Sequence, residues 1–194
     1  MRGKTTTYSN DSYNLYPATI TNPLNQATSL TYDYTSGKVK QKTDPNTRVF
    51  QTIYDGLDRV IEEKQPDVTT PSTLVTKAIY TYTDTSGAVS VKKSNYLDSS
   101  TIADSYTYLD GLGRKLQERQ EAEGTNFVAK DYAYNNLGQL QKESLPYFST
   151  GSSKTTATAD TTLYTTYSYD TMGRITTSAN NVGTTTNTYS DWKL

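Results

Sequence analysis

The chain has 194 residues, with 19 basic side chains against 20 acidic ones and neither Cys nor His. That balance excludes the basic field of a nonspecific nucleic-acid binder. The missing Cys and His exclude disulfides, Cys/His zinc or haem ligation, and Ser-His or Cys-His nucleophile pairs.

Leu, Ile, Val and Phe together supply 32 residues, whereas Tyr supplies 18 and Thr 36. The aliphatic share lies under the roughly 20% of an ordinary core. Tyr and Thr favour strands, and Gly, Pro, Asn and Asp supply turns. The expectation is an all-β protein with a thin, tyrosine-built core, and neither a helical bundle nor an α/β fold.

Along the chain, Met1-Arg2-Gly3-Lys4 starts basic but leads into no hydrophobic stretch, so no signal peptide is read. No apolar run approaches the roughly 20 residues of a membrane helix, and no membrane insertion is expected. Residues 1–30 are expected to form an N-terminal extended or β segment, and residues 31–194 a region of about six hairpin repeats.

The repeats are marked by Tyr at i and i+2: Tyr32/Tyr34, Tyr80/Tyr82, Tyr106/Tyr108, Tyr132/Tyr134 and Tyr167/Tyr169. Gly follows each pair, at Gly37, Gly87, Gly113, Gly138 and Gly173, and then a new apolar alternation begins. A sixth unit, Tyr54-Asp55-Gly56-Leu57-Asp58-Arg59, lacks the first Tyr. Residues i and i+2 share a strand face, so each pair makes an aromatic stripe. The Asp/Asn-x-x-Gly stretch is a turn with Gly in the left-handed region. Thr43-Asp44-Pro45-Asn46, Glu123-Gly124-Thr125 and Asn180-Asn181-Val182-Gly183 are expected to close the opposite ends. Gln65–Ser72 and Leu145–Asp160 read as longer loops. The count comes to twelve to fourteen strands, and no composition shift is large enough to mark a domain boundary.

Tyr54-Asp55-Gly56-Leu57-Asp58-Arg59, Asp110-Gly111-Leu112-Gly113-Arg114 and Tyr169-Asp170-Thr171-Met172-Gly173-Arg174 resemble the YD repeat, Tyr-Asp-x-x-Gly-Arg. Tyr134-Asn135-Asn136-Leu137-Gly138-Gln139 is a degenerate copy. This is the repeat of Rhs proteins, of the B and C components of bacterial Tc toxins, and of teneurins. It covers about Tyr32 to Ser178. Asp58 replaces the usual Gly and Leu109 the usual Tyr, which implies altered turns in those units. The resemblance implies tandem antiparallel hairpins forming a curved strip, part of a hollow β-shell around a toxic cargo. The chain is short for a whole shell and reads as a fragment of the repeat region.

Other motifs have plainer readings. Glu121-Ala122-Glu123 matches the Glu-x-Glu of ADP-ribosyltransferases but falls at a hairpin end. Gly151-Ser152-Ser153-Lys154-Thr155-Thr156 lacks phosphate-loop spacing and reads as a flexible loop. Asp84-Thr85-Ser86-Gly87 and Asp170-Thr171-Met172-Gly173 resemble aspartic-protease turns but sit at repeat turns. Asp55, Asp58, Asp110 and Asp170 lack calcium-loop spacing. Asp44-Pro45-Asn46-Thr47 does not match the autoprotease signature of Rhs shells, and Asn10-Asp11-Ser12 is a bare glycosylation sequon. Arg59, Arg114 and Arg174 are expected to pair with Asp or stack on a Tyr of the adjacent hairpin.

The expectation is therefore a structural, non-enzymatic part of a YD-repeat shell, with no catalytic, cofactor-binding or metal residues. Its partners would be a cargo polypeptide or adjacent repeats, with self-association through sheet edges. As part of a larger protein it would be secreted or at the cell surface. The alternative is a surface module that binds a glycan or a partner cell through Tyr-rich faces.

Overall fold

The computed structural model describes residues 4–85, 88–155 and 163–190. Within them lie sixteen strands and no α-helix, two strands more than the upper sequence expectation. The strands are β1 (Thr7–Asn10), β2 (Pro17–Thr21), β3 (Ala27–Asp33), β4 (Lys38–Thr43), β5 (Val49–Tyr54), β6 (Val60–Pro66), β7 (Leu74–Thr85) and β8 (Ala88–Tyr96). After them come β9 (Ile102–Leu109), β10 (Lys115–Glu121), β11 (Asn126–Tyr134), β12 (Leu140–Ser144), β13 (Tyr147–Thr150), β14 (Tyr164–Tyr169), β15 (Ile175–Ala179) and β16 (Thr184–Thr186). The all-β antiparallel class is as expected. Hydrogen-bonded order follows the chain, except that β13 pairs with β11 and β12 continues to β14. No helix among the described residues is long and apolar enough to cross a membrane.

The chain divides into two compact units, one of residues 1–81 and 93–102, the other of residues 82–92 and 103–194. In the first, the ladder from β1 into β7 is a run of hairpins. Its register slips at Thr31/Tyr32 and Ile53/Tyr54, one step before each turn. In the second, the same slip occurs at Ala133/Tyr134 and Ser168/Tyr169. At the turns after Tyr54, Tyr134 and Tyr169, a three-residue loop ending in a left-handed residue demands such a bulge.

The core is as thin as the composition implies. The buried apolar side chains are Tyr32 and Ala78 in the first unit and Phe127, Ala129 and Tyr164 in the second. Aromatic contacts supplement them: Tyr16 stacks on Tyr32 with centroids 4.7 Å apart and planes 19° apart, an arrangement worth about 0.5–1.5 kcal/mol beyond area burial.

β12 and β13 follow each other along one edge of β11, pairing Tyr132↔Glu143 and then Ala129↔Tyr147. Part of the expected loop Leu145–Asp160 is therefore a strand. Proline at 146 has no N–H to give to a ladder, and it falls in the two-residue break between β12 and β13.

Candidate functional site

The chemistry-bearing residues cluster first at the hairpin turns. In Asp55–Arg59, Asp110–Arg114, Asn135–Gln139 and Asp170–Arg174, the first residue's N–H donates to the fifth residue's carbonyl at 2.9 Å. The first side chain's Oδ1 accepts the N–H groups of the third and fifth residues at 2.9–3.0 Å. This is an Asx turn, in which the side chain replaces a missing backbone partner. The fourth residue takes the left-handed region: Gly113 at φ 77°, Gly138 and Gly173 at 79°, and Asp58 at 60°. Asp58 keeps the geometry because Asp tolerates this region better than most residues.

Asp44–Arg48 and Asn22–Gln26 use the same design, with Thr47 at φ 65° and Asn25 at 60°. In the first repeat, Gly37 N–H donates to the Asp33 carbonyl at 2.7 Å. The Tyr before the turn's Asp is thus Tyr32, and Tyr34, the second of the pair, follows that Asp.

The fifth residue links one hairpin to the next. Arg59, Arg114 and Arg174 each donate from Nε to the Oδ2 of their own turn's Asp, at 2.8, 2.7 and 2.7 Å. Asn135 Nδ2 and Gln139 Oε1 make the neutral counterpart at 2.8 Å. The Arg114 guanidinium lies 4.6 Å from the Tyr134 centroid, and that of Arg174 4.3 Å from the Tyr189 centroid. Asp pairing and Tyr stacking, read from the sequence as alternatives, coexist at both arginines. Lys38 takes the same place in the first unit, over Tyr54 at 5.1 Å and donating to the Asp58 carbonyl.

The tyrosines bond back to the preceding unit. Tyr54 donates to the Val39 carbonyl at 2.9 Å, Tyr169 to Leu140 at 2.7 Å, and Tyr189 to Ile175 at 2.8 Å. Asp55, Asp110 and Asp170 are held below the usual carboxylate range. The fifth residue's backbone N–H is the main cause, and its guanidinium and the third residue's N–H add to it.

A second link repeats within the strands. Tyr80 donates to Glu63 at 3.2 Å, Tyr132 to Glu118 at 2.6 Å, and Tyr167 to Glu143 at 2.7 Å. Lys115 pairs with Glu118 at 2.5 Å and Lys130 with Glu143 at 2.7 Å. The Glu143 bond, followed by burial, pushes the Tyr167 phenol up to about 12. Burial and Glu118 push Tyr132 up as well.

Tyr106 and Tyr108 behave differently. Their register partners are Arg119 and Gln117, and Gln117 faces Asp131, so this pair lies on the face opposite Tyr132. Leu109, not Tyr108, precedes the turn's Asp, and a one-residue offset reverses the face of a strand residue.

On that face lies a polar cluster that sequence reasoning missed. Gln117 and Arg119 are 1% exposed, as is Ser144, and Asp131 is 4% exposed. The Arg119 guanidinium donates to the Gly151 carbonyl from Nη2 (2.7 Å) and Nε (3.1 Å), and to the Thr150 carbonyl (3.0 Å). It also donates to Ser149 Oγ (2.9 Å), Thr155 Oγ1 (3.2 Å) and Gln117 Oε1 (3.1 Å). Gln117 Nε2 donates to Asp131 Oδ1 at 2.7 Å, Tyr147 to Asp131 Oδ2 at 2.7 Å, and Tyr108 to the Ser152 carbonyl at 2.5 Å. The segment read as a flexible, phosphate-loop-like stretch is thus tied down from Gly151 to Thr155, and Thr156 lies outside the described residues. It presents carbonyls to Arg119, the opposite polarity to a phosphate cradle.

Glu121 Oε2 accepts the Asp104 N–H at 2.8 Å, and Glu123 sits in the turn that returns to Asn126. Ser86 and Gly87 of Asp84–Gly87 lie outside the described residues. No group of three or more acidic side chains placed to hold a metal occurs among the described residues. Asn10 Nδ2 donates to Asn14 Oδ1 at 3.0 Å.

A family model described as a domain of unknown function, DUF6443, matches residues 80–193. No curated protein matches the sequence. The fold is similar to that in the crystal structure of TcdB2-TccC3, with TM-score 0.71 and 18% identity over 92% of this chain and 12% of that one. It is also similar to the TcdB2-TccC3 structure without its hypervariable C-terminal region, with TM-score 0.73, 14% identity and shares of 92% and 14%. A Tc holotoxin pore of Photorhabdus luminescens gives TM-score 0.75, 15% identity and shares of 96% and 14%. The chain therefore spans about an eighth to a seventh of the length of these chains.

Proposed function

The chain belongs to the DUF6443 family, and from this premise and the fold it shares with Tc toxin chains we propose that it is a non-catalytic stretch of a YD-repeat shell wall that encloses or scaffolds a polypeptide cargo. The carrying observation is how the repeat's reactive side chains are used. Turn Asp, following Arg, strand Tyr and strand Glu bind one another from hairpin to hairpin, as in Arg114 to Asp110 and Tyr134, or Tyr132 to Glu118. Such a scheme propagates by adding units and needs no ligand.

The wall would act by steric exclusion, and its setting would be secreted or at the cell surface within a larger assembly. Co-purification of a protease-protected polypeptide from the native source tests this. Its absence from the purified assembly counts against cargo enclosure.

A second reading has one specific observation in its favour. Tyr13 and Tyr34, 68% and 50% exposed, meet edge to face at 5.2 Å beside exposed Leu15. Exposed ring faces of this kind take the apolar faces of sugars. A glycan-array signal lost in Tyr13→Ala and Tyr34→Ala favours a surface-binding module.

A further inference from the structure

We propose that the face of β10–β11 around Arg119 is a main-chain-reading groove, occupied in cis by the chain's own strap at Ser149–Thr155, and able to take an extended Ser/Thr/Gly-rich polypeptide in trans. The inference adds to the shell reading a site of stated chemistry, and it stands on the groove's own geometry.

The groove reads backbone and small hydroxyls. Arg119 donates to the carbonyls of Thr150 and Gly151, Tyr108 donates to that of Ser152, and Gln117 Oε1 accepts the Thr155 N–H at 3.2 Å. The side chains it contacts on the strap are Ser149 and Thr155, through their hydroxyls. A planar guanidinium is suited to this because its fixed fork of donors spans successive carbonyls. Recognition by main chain tolerates sequence variation, as in strand-addition binding.

The receptor side is pre-organised. Asp131 holds the Gln117 amide at 2.7 Å, and Gln117 in turn accepts from Arg119. The strap side leaves the ladder after Thr150 and keeps a backbone bond from the Gly151 N–H to the Thr125 carbonyl at 3.1 Å. Gly151 holds a left-handed φ of 72°, and Ser153 and Lys154 are exposed. From Ser152 to Thr155 the strap is fastened through side chains of β9 and β10, Tyr108, Gln117 and Arg119, and segments held outside the ladder open at lower free energy than strands. An opened strap uncovers donors and acceptors that any extended chain can satisfy.

The test uses the full chain and a labelled synthetic peptide with the sequence of residues 147–155. Two variants open the strap differently. Gly151→Val places a β-branched residue in the left-handed region, and Thr155→Pro removes the N–H bonded to Gln117. Trypsin cleavage after Lys154 reports opening, circular dichroism reports folding, and fluorescence anisotropy reports binding. The expected result is at least tenfold tighter peptide binding by one or both opened variants than by the wild type, abolished when Arg119→Lys is added. No gain in binding by either folded variant overturns the proposal, as does a gain that survives Arg119→Lys. Both outcomes are independent of whether a cargo co-purifies, so failure of the groove and failure of the shell reading are distinguishable.

Discussion

Two glycines with nearly the same backbone angle give a quantitative test of the turn design. Gly113 has φ 77° with no atom within 4 Å of an added Cβ, whereas Gly37 has φ 73° with Tyr16 Oη 2.7 Å and Cζ 3.3 Å from that position. In Gly113→Ala only the backbone term operates, about 1–2 kcal/mol for a side chain in the left-handed region. The less flexible unfolded chain returns about 0.4–1 kcal/mol. The expected net loss is about 0.5–1.5 kcal/mol. In Gly37→Ala the Tyr16 ring must move as well, and it is stacked on buried Tyr32. Overpacking adds about 1–3 kcal/mol, and the loss of stacking up to about 1 more. The expected loss is then about 1.5–5.5 kcal/mol. Urea unfolding with unchanged m-values measures both. Equal losses, or a milder effect at Gly37, would refute the reasoning.

Arg119→Met deprives the carbonyls of Thr150 and Gly151 of their donor. At about 1–3 kcal/mol for each buried unsatisfied group, and with water relieving an opened strap, the loss should be about 2–4 kcal/mol. A loss under about 0.5 kcal/mol, the scale of a surface change, contradicts the buried-cluster account. The carboxyls of Asp55, Asp110 and Asp170 are depressed in the folded chain. Their stabilisation is complete above the unfolded value of about 3.9 and is lost as pH falls through the folded values. Asp110→Asn should flatten the acid limb of the stability–pH curve, and an unchanged limb counts against the assigned role. The Tyr167 phenol, raised to about 12 by Glu143, makes stability fall as pH rises from the unfolded value of about 10 through the folded one. Ultraviolet titration of Tyr167→Phe should lose one phenolate that titrates above the ordinary tyrosine range, and an unchanged curve contradicts the Tyr–Glu pairing. Strands β1 and β16 end the pairing order of their units and carry few blunting charges. Light scattering should therefore show self-association that rises with concentration, and a monodisperse monomer contradicts it.

The turns were legible in the sequence because Asp, Gly and Arg act there through neighbours a few residues away. Asp110 satisfies the N–H groups of Leu112 and Arg114 without help from the rest of the fold. The facing of the Tyr pairs was less legible. Tyr106/Tyr108 and Tyr132/Tyr134 look alike, yet only Tyr134 stands directly before its turn residue, and the offset of one reverses the exposed side. The turn at Asp44 was expected, but Thr47 hid that it shares the common design, because a β-branched residue at φ 65° is a poor sequence signal for the left-handed region.

Arg119 was illegible for a different reason. In Lys115–Glu121 it sits among alternating charges that read as a solvated strand. Its burial depends on a strap more than thirty residues away, joined to it by backbone carbonyls that carry no sequence signature. The hairpin repeat revealed the strand, and nothing local revealed which face would be covered.

Electron cryomicroscopy of the native gene product, purified from its own source, tests the shell reading most directly. The predicted result is a wall of antiparallel hairpins, with the Arg114–Tyr134 and Arg174–Tyr189 contacts repeating along it and polypeptide density on its enclosed side. A free-standing β module with no enclosed space, its Tyr13 and Tyr34 rings open to solvent or sugar, would contradict it.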